Sequence, residues 1–291
     1  MPLPRRTFLK TAGALTALGG AAAAEDRFRK PIGAELYTVR KLLTKDADGT
    51  LKRIEDIGYT EVESMRADMP RLRPLFEKYR LSCPSVHFET GLITGRRDLW
   101  HLSADDSWDQ AVQQAKDWHL EYMVIPYLMP PERKDYAAFV DKLNQAGEAC
   151  NKAGVGLCYH HHAFEFGGEP GKRPIDLFLE RTDPKLVNLE SDVFWVSVSG
   201  NDPVEFLQRH GDRVKMLHLK DKAKGTPVMA AENVPARDFK EVGNGVLNFP
   251  AILREAEKID VRHYFVEQDE TPGDPVESLR QSYRYLRSVT L

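Results

Sequence analysis

Ionisable side chains gather at the ends of short apolar runs along this chain. The runs finish Ser85-Val86-His87-Phe88-Glu89, Tyr159-His160-His161-His162 with Glu165 just beyond, and Asn188-Leu189-Glu190-Ser191-Asp192 followed by Trp195. Two later runs finish Met216-Leu217-His218-Leu219-Lys220-Asp221 and Tyr264-Phe265-Val266-Glu267-Gln268-Asp269. Imidazoles and carboxylates converging from neighbouring strands suit a divalent cation such as Mn²⁺, Co²⁺, Zn²⁺ or Mg²⁺. A single histidine at a strand end is ordinarily a hydrogen-bonded structural group. Burying the whole set together is costly unless the groups bind something.

Alternation decides which of these groups can meet. In a strand, Met216, His218 and Lys220 share one face and Leu217 and Leu219 the other; Asn188, Glu190 and Asp192 likewise share a face. The apolar faces belong against helices, so His218 and Asp192 should turn inward. His160 and His162 share a side, which leaves His161 facing the helices or supporting the ligands from behind, unless the strand has already ended.

The elements that carry these residues repeat. Candidate strands are Ile32–Tyr37, Glu61–Ser64, Leu81–Phe88, Tyr122–Pro126, Val155–His161, Leu186–Asp192, Val214–Lys220 and His263–Gln268. Between them run helical patterns at Thr50–Ile57, Arg71–Tyr79, Trp108–Trp118, Tyr136–Ala153, Asp176–Arg181, Pro203–Arg209, Phe249–Ile259 and Pro275–Leu286. Eight strand–helix units imply parallel strands with right-handed crossovers and point to a single (β/α)8 TIM barrel. A doubly wound sheet is the structural rival, but no Gly-x-Gly-x-x-Gly follows the first strand. The Pro/Gly-rich segments Met129–Arg133, Gly167–Pro174 and Gly225–Pro235 each follow a strand. In a barrel they lie on the C-terminal face, where active sites sit.

These motifs together resemble the sugar phosphate isomerase/epimerase family, the xylose isomerase-like TIM barrels. The resemblance covers nearly all of residues 25–291. It rests on Leu36-Tyr37-Thr38-Val39-Arg40, the His160–Phe166 segment, Asp192-Val193-Phe194-Trp195, Leu217–Asp221, Gly243-Asn244-Gly245 and Val266–Asp269. It implies one divalent metal held by residues ending strands five to eight: His160 or Glu165, Asp192, His218 and Glu267. The family usually has Glu where this chain has His160. Glu35 stands where relatives often have Gln, and Asn244 where an acid is common; either change would bear on substrate choice.

The chemistry that follows is enolisation. A hard divalent ion lowers the energy of the enediolate formed when a proton leaves the carbon beside a sugar carbonyl. Return of the proton elsewhere isomerises or epimerises the sugar; loss of a β leaving group makes the enzyme a lyase or dehydratase. Candidate acid/base groups are Glu165, His162 and His87, with Lys220 to neutralise the oxyanion. Tyr37 and Trp195 are candidates to stack on the sugar.

At the N-terminus, Arg5-Arg6-Thr7-Phe8-Leu9-Lys10 precedes an apolar stretch from Thr11 to an Ala-x-Ala site ending at Ala24. This reads as a twin-arginine export signal, residues 1–24, with Phe8 and Lys10 favouring it over a Sec signal or an anchor. The stretch is shorter than the ~20 residues that span a bilayer. The expectation is a periplasmic protein, exported folded. Phosphorylated sugars are mostly cytoplasmic and no phosphate-cradling glycine loop is present, so an unphosphorylated sugar or keto-glycoside is the expected partner. No membrane contact is expected after signal removal, and a homo-oligomer is compatible with the sequence.

The net charge of −3 argues against nucleic acid as a partner. It also disfavours a metal-dependent phosphodiesterase, the one rival within the same barrel family. The other rival is a non-catalytic sugar-binding or accessory subunit. Three cysteines, Cys83, Cys150 and Cys158, leave at least one free thiol and read as buried apolar residues.

Overall fold

The computed structural model describes Met1 and residues 27–291. The twin-arginine run and the boundary at residue 24 lie outside the described residues.

Eight parallel strands close into a barrel in chain order: β1 (Gly33–Glu35), β2 (Glu61–Met65), β3 (Ser82–His87), β4 (Tyr122–Ile125), β5 (Gly156–His160), β6 (Val187–Asp192), β7 (Val214–Leu219) and β8 (His263–Val266), with β8 pairing back onto β1. Eight principal helices alternate with them: α1 (Ala47–Ile57), α2 (Met69–Tyr79), α3 (Trp108–Asp117), α4 (Tyr136–Ala153), α5 (Pro174–Arg181), α6 (Pro203–His210), α7 (Phe249–Lys258) and α8 (Pro275–Ser288). The helices begin where a short polar side chain can satisfy the free N–H groups of a first turn. Asp46, Ser107, Asp135, Asp202, Asn248 and Asp274 each accept such a bond. Gly58 and Gly154 end α1 and α4 in the left-handed conformation.

The strand faces separate as alternation requires. Leu217 and Leu219 belong to the large core between sheet and helices, while Met216 packs inside the barrel with Val124, Cys158 and Phe265. Gly33 makes room for this plug, because a Cβ there would stand 2.4 Å from the Phe265 ring. Above the plug the interior turns polar: Glu35, Glu63, His87, His160, Glu190, Asp192, His218 and Glu267 are all buried.

Loops missed by periodicity shape the mouth. Short helices at Gly91–Thr94 and Arg97–Trp100 follow β3, and another at Val193–Val198 follows β6. After β7 the chain forms a small antiparallel pair, Asp221–Lys222 with Phe239–Lys240. The Asp221 carboxylate accepts the N–H groups of Gly243, Gly245 and Leu247 at 2.9–3.0 Å. This clamp accounts for the two motifs that contain Asp221 and Gly243-Asn244-Gly245. Asn244 itself is exposed, donates to Glu241 and Gln281, and does not line the cavity at the barrel mouth.

The three cysteines are free thiols. Cys150 and Cys158 are buried as expected, but Cys83 is only half-buried.

Candidate active site and metal centre

The C-terminal ends of β5 to β8 deliver four ligand-type side chains to one point. His160 ends β5, Asp192 ends β6, His218 lies in β7 and Glu267 follows β8. One ligand atom from each lies within 4.8 Å of the others. His160 Nε2 is 3.4 Å from Asp192 Oδ2, and His218 Nδ1 is 2.8 Å from Glu267 Oε2 and 3.9 Å from Asp192 Oδ2.

The surroundings orient these groups. His160 Nδ1 is 3.1 Å from the Pro126 carbonyl, which can only accept. That bond puts a proton on Nδ1 and turns Nε2 toward Asp192. A histidine that ligates a metal is held in this way by a backbone carbonyl or a carboxylate. Asp192 Oδ1 caps the following helix through the N–H groups of Phe194 and Trp195, leaving Oδ2 for the site. Two imidazoles and two carboxylates, one imidazole held through its Nδ1, fit a divalent cation.

Lys220 sits beside the same carboxylates. Its Nζ is 3.0 Å from Asp192 Oδ2, 2.5 Å from Glu267 Oε2 and 2.8 Å from Asp269 Oδ1. Burial opposes the ammonium, yet Asp192, Asp269 and Glu267 together hold its pKa well above the ordinary lysine value. Burial likewise opposes the charges on Glu267 and Asp192, but Lys220 and the neighbouring histidines keep both pKa values low. Asp269 is pushed up to about 7 by burial, with Glu267 adding to the shift.

Below this group lies a second one. His218 Nε2 is 2.7 Å from Glu63 Oε2 and 3.3 Å from Glu190 Oε1; His87 Nε2 is 3.0 Å from Glu63 Oε2 and 3.3 Å from Glu190 Oε2. Glu35 is buried nearby, with Oε2 accepting the Tyr37 N–H. Burial, and then the charge of Glu267, raise the Glu35 carboxyl well above its ordinary value.

A cavity of about 450 Å³ opens over His160, Lys220 and Glu267. This falls within the ~300–1,000 Å³ range of small-molecule sites. Tyr37 stands at its rim, 42% exposed, with the Arg40 guanidinium 3.9 Å above the ring. Trp195 is a buried wall, and its Nε1 has no hydrogen-bond partner. His162 also lines the cavity, its ring 4.8 Å from that of His160 and 5.2 Å from that of Trp195. Burial, then the charges of His160 and Lys220, hold its pKa well below the usual histidine value, so it is neutral at pH 7. Across the mouth, Glu232 from the loop after β7 accepts from Tyr127 Oη at 2.9 Å and from both terminal nitrogens of Arg133.

The structure therefore brings His87, His160, His162, Asp192, His218, Lys220, Glu267, Tyr37 and Trp195 to or beside one cavity. It does not bring Glu165 there. β5 ends at His160, and the turn Ala163–Phe166 swings Glu165 to the helix side, where Tyr159 Oη donates to Oε1 at 2.5 Å and the His162 N–H to Oε2 at 2.8 Å. Of the two residues considered for the fifth strand, His160 faces the other ligands and Glu165 does not. His161 faces the helices as expected, 3.1 Å from Ser191 Oγ. Glu63, Asp269, Tyr127 and Glu232 were not singled out from sequence. Strand alternation in the second strand and the Val266–Asp269 motif are the signals that could have found the first two; nothing in the sequence marks Glu232.

Burial raises the Glu165 carboxyl to about 8 despite its donors. In the unfolded chain it titrates near ~4.3. The folded protein thus holds an extra proton between those values, and this group's contribution to stability, complete below the unfolded pKa, is lost as pH rises through the folded one. Relative to Glu165→Gln, the wild type is expected to lose on the order of a few kcal/mol over that window. Urea midpoints of both proteins across pH measure it; a pH-independent difference would refute the assignment.

Comparison with known proteins agrees with the barrel fold. The sequence profile described as xylose isomerase-like TIM barrel matches residues 51–289.

The chain belongs to the xylose isomerase-like TIM barrel family.

Within that family it is 27% identical over 272 residues to an inosose dehydratase of Geobacillus kaustophilus (strain HTA426), covering 82% of this chain and 86% of the relative. It is 29% identical over 166 residues to the inosose dehydratase of Geobacillus thermodenitrificans (strain NG80-2), a match that spans only 55% of that protein. A crystal structure of a sugar phosphate isomerase/epimerase from Parabacteroides distasonis ATCC 8503 superposes with a TM-score of 0.74 at 24% identity, covering 90% of this chain and 99% of that one. The xylose isomerase-like barrel is thus shared over almost the whole described chain.

Proposed function

We propose that this xylose isomerase-like barrel is a divalent-metal-dependent carbohydrate enzyme. It enolises an unphosphorylated keto-sugar, keto-inositol or keto-glycoside, and isomerises, epimerises or dehydrates it. The observation that carries this reading is the meeting of a ligand quartet, a charged Lys220 and a neutral His162 at one cavity. The inosose dehydratase relatives support the same chemistry, because elimination of water beside a ketone proceeds through an enol.

His160, Asp192, His218 and Glu267 would hold a divalent ion, which would supply Lewis-acid polarisation of a substrate carbonyl. His162, neutral at pH 7, takes the proton from the carbon beside that carbonyl. The resulting imidazolium returns the proton to another carbon, or hands it to an oxygen leaving from the β carbon. Lys220 keeps its proton and sets positive charge beside the developing oxyanion. Trp195 offers its ring to the sugar's C–H face. The cavity lining carries Glu232, Glu267 and Asp269 against Lys220, and this carboxylate excess repels a phosphate group.

Incubation of metal-reconstituted protein with inosose and keto-glycosides in D₂O tests the reading. Deuterium uptake beside the carbonyl is expected. No uptake and no product with Mn²⁺, Co²⁺, Zn²⁺ or Mg²⁺ would refute it. The variant His162→Asn is expected to lose ~10²–10⁴-fold in kcat with its metal content unchanged. Undiminished exchange in that variant would remove His162 as the base.

A further inference from the structure

The lower group, Glu63, His87, Glu190 and His218, is a candidate site in its own right. It is built by β2, β3, β6 and β7, and its four ligand atoms lie within 4.8 Å of one another. Each of the four residues is buried, yet His87 also lines the cavity, which gives an ion a way in from the mouth.

Hydrogen bonding within the group does not close. Two imidazole nitrogens, His87 Nε2 and His218 Nε2, face four carboxylate oxygens. Glu63 Oε1 and Glu190 Oε1 are left fully buried without a hydrogen-bond partner, the latter although His218 Nε2 is only 3.3 Å away. One N–H per ring cannot serve every oxygen around it, and an unserved buried carboxylate oxygen is costly. A single cation between the four side chains would satisfy all of them together.

Spacing agrees with that remedy. A tetrahedral ion with bonds of about 2.0–2.1 Å sets its ligands roughly 3.3 Å apart. The four nitrogen–oxygen separations here are 2.7, 3.0, 3.3 and 3.3 Å. Two nitrogen and two oxygen donors in a buried setting suit a zinc-class ion. His218 links this group to the one above, because Nε2 faces Glu63 and Nδ1 faces Glu267.

We infer that Glu63, His87, Glu190 and His218 form a second divalent-cation site beneath the first, with His218 shared between the two through its opposite ring nitrogens as an imidazolate whose ring proton is released to solvent when both ions bind. The inference goes beyond the proposed function and does not require it.

Metal stoichiometry separates the two. Purified full-length protein, stripped with chelator and dialysed against Zn²⁺, is expected to hold two ions per chain, falling to one in Glu190→Gln and to one in Glu267→Gln. One ion in the wild type, kept in Glu190→Gln and lost in Glu267→Gln, would overturn the second site and leave the upper one standing. One ion lost in Glu190→Gln and kept in Glu267→Gln would uphold the lower site and refute the upper. No bound ion would overturn both. Should Glu190→Gln fail to fold, anomalous scattering from zinc-soaked wild-type crystals decides: a peak between Glu63 and Glu190 is expected, and a peak at Asp192 and Glu267 alone would overturn the inference.

Discussion

Replacing Glu267 by glutamine is expected to lower kcat/KM by ~10³-fold or more while the barrel stays folded. Glu267 Oε2 touches both His218 Nδ1 and Lys220 Nζ, so its charge serves the ligand quartet and the ammonium at once. Glutamine keeps the shape and removes the charge. It also turns an N–H donor toward groups that are themselves donors. A metal ligand set that loses one of two carboxylates gives up several kcal/mol of the stabilisation that a Lewis acid contributes to the transition state. Kinetics, metal analysis and circular dichroism on the same preparation measure the effect. Turnover near the wild-type rate would show that the upper quartet is not the reacting centre.

Lys220→Met should be the most destabilising single change at the site, by about 3–5 kcal/mol in metal-free protein. It leaves Asp192, Glu267 and Asp269 facing one another in a buried space with no ammonium between them. The loss grows with pH, because protons on those carboxylates relieve the repulsion and are given up as pH rises. Added divalent cation should restore more stability to this variant than to the wild type, since the ion replaces the missing positive charge. Thermal melts with and without metal read both effects. A variant as stable as the wild type in chelator would mean that the three carboxylates are not held ionised together.

The site was legible in sequence wherever a short-range rule governs it. His218 and Asp192 turn inward because strand residues alternate, and Leu217 and Leu219 are thereby sent to the helices. His161 follows the same rule. Glu165 broke away because alternation stops where the strand stops. β5 ends at His160, and the turn of 3-10 helix at Ala163–Phe166 carries Glu165 round to Tyr159 on the helix side. Asn244 lies inside a motif whose backbone clamps Asp221, while its side chain turns outward to Glu241 and Gln281. Glu232 was invisible because a loop residue carries no periodicity, and only the folded path of residues 223–238 sets it against Arg133 and Tyr127.

By itself the sequence determined eight strand–helix units and the inward sense of Asp192 and His218. These properties depend on neighbours a few residues away, and local periodicity encodes them. The tertiary structure alone decided which inward groups touch. Glu63 and His218 are 155 residues apart yet 2.7 Å from contact to contact, because barrel closure brings β2 and β7 to opposite sides of one narrow interior. The stagger between strands, with shifts at Glu61/Glu63 and Leu189/Glu190, then sets the height of each side chain. Height sorted the ionisable residues into an upper and a lower group, and no spacing along the chain records it.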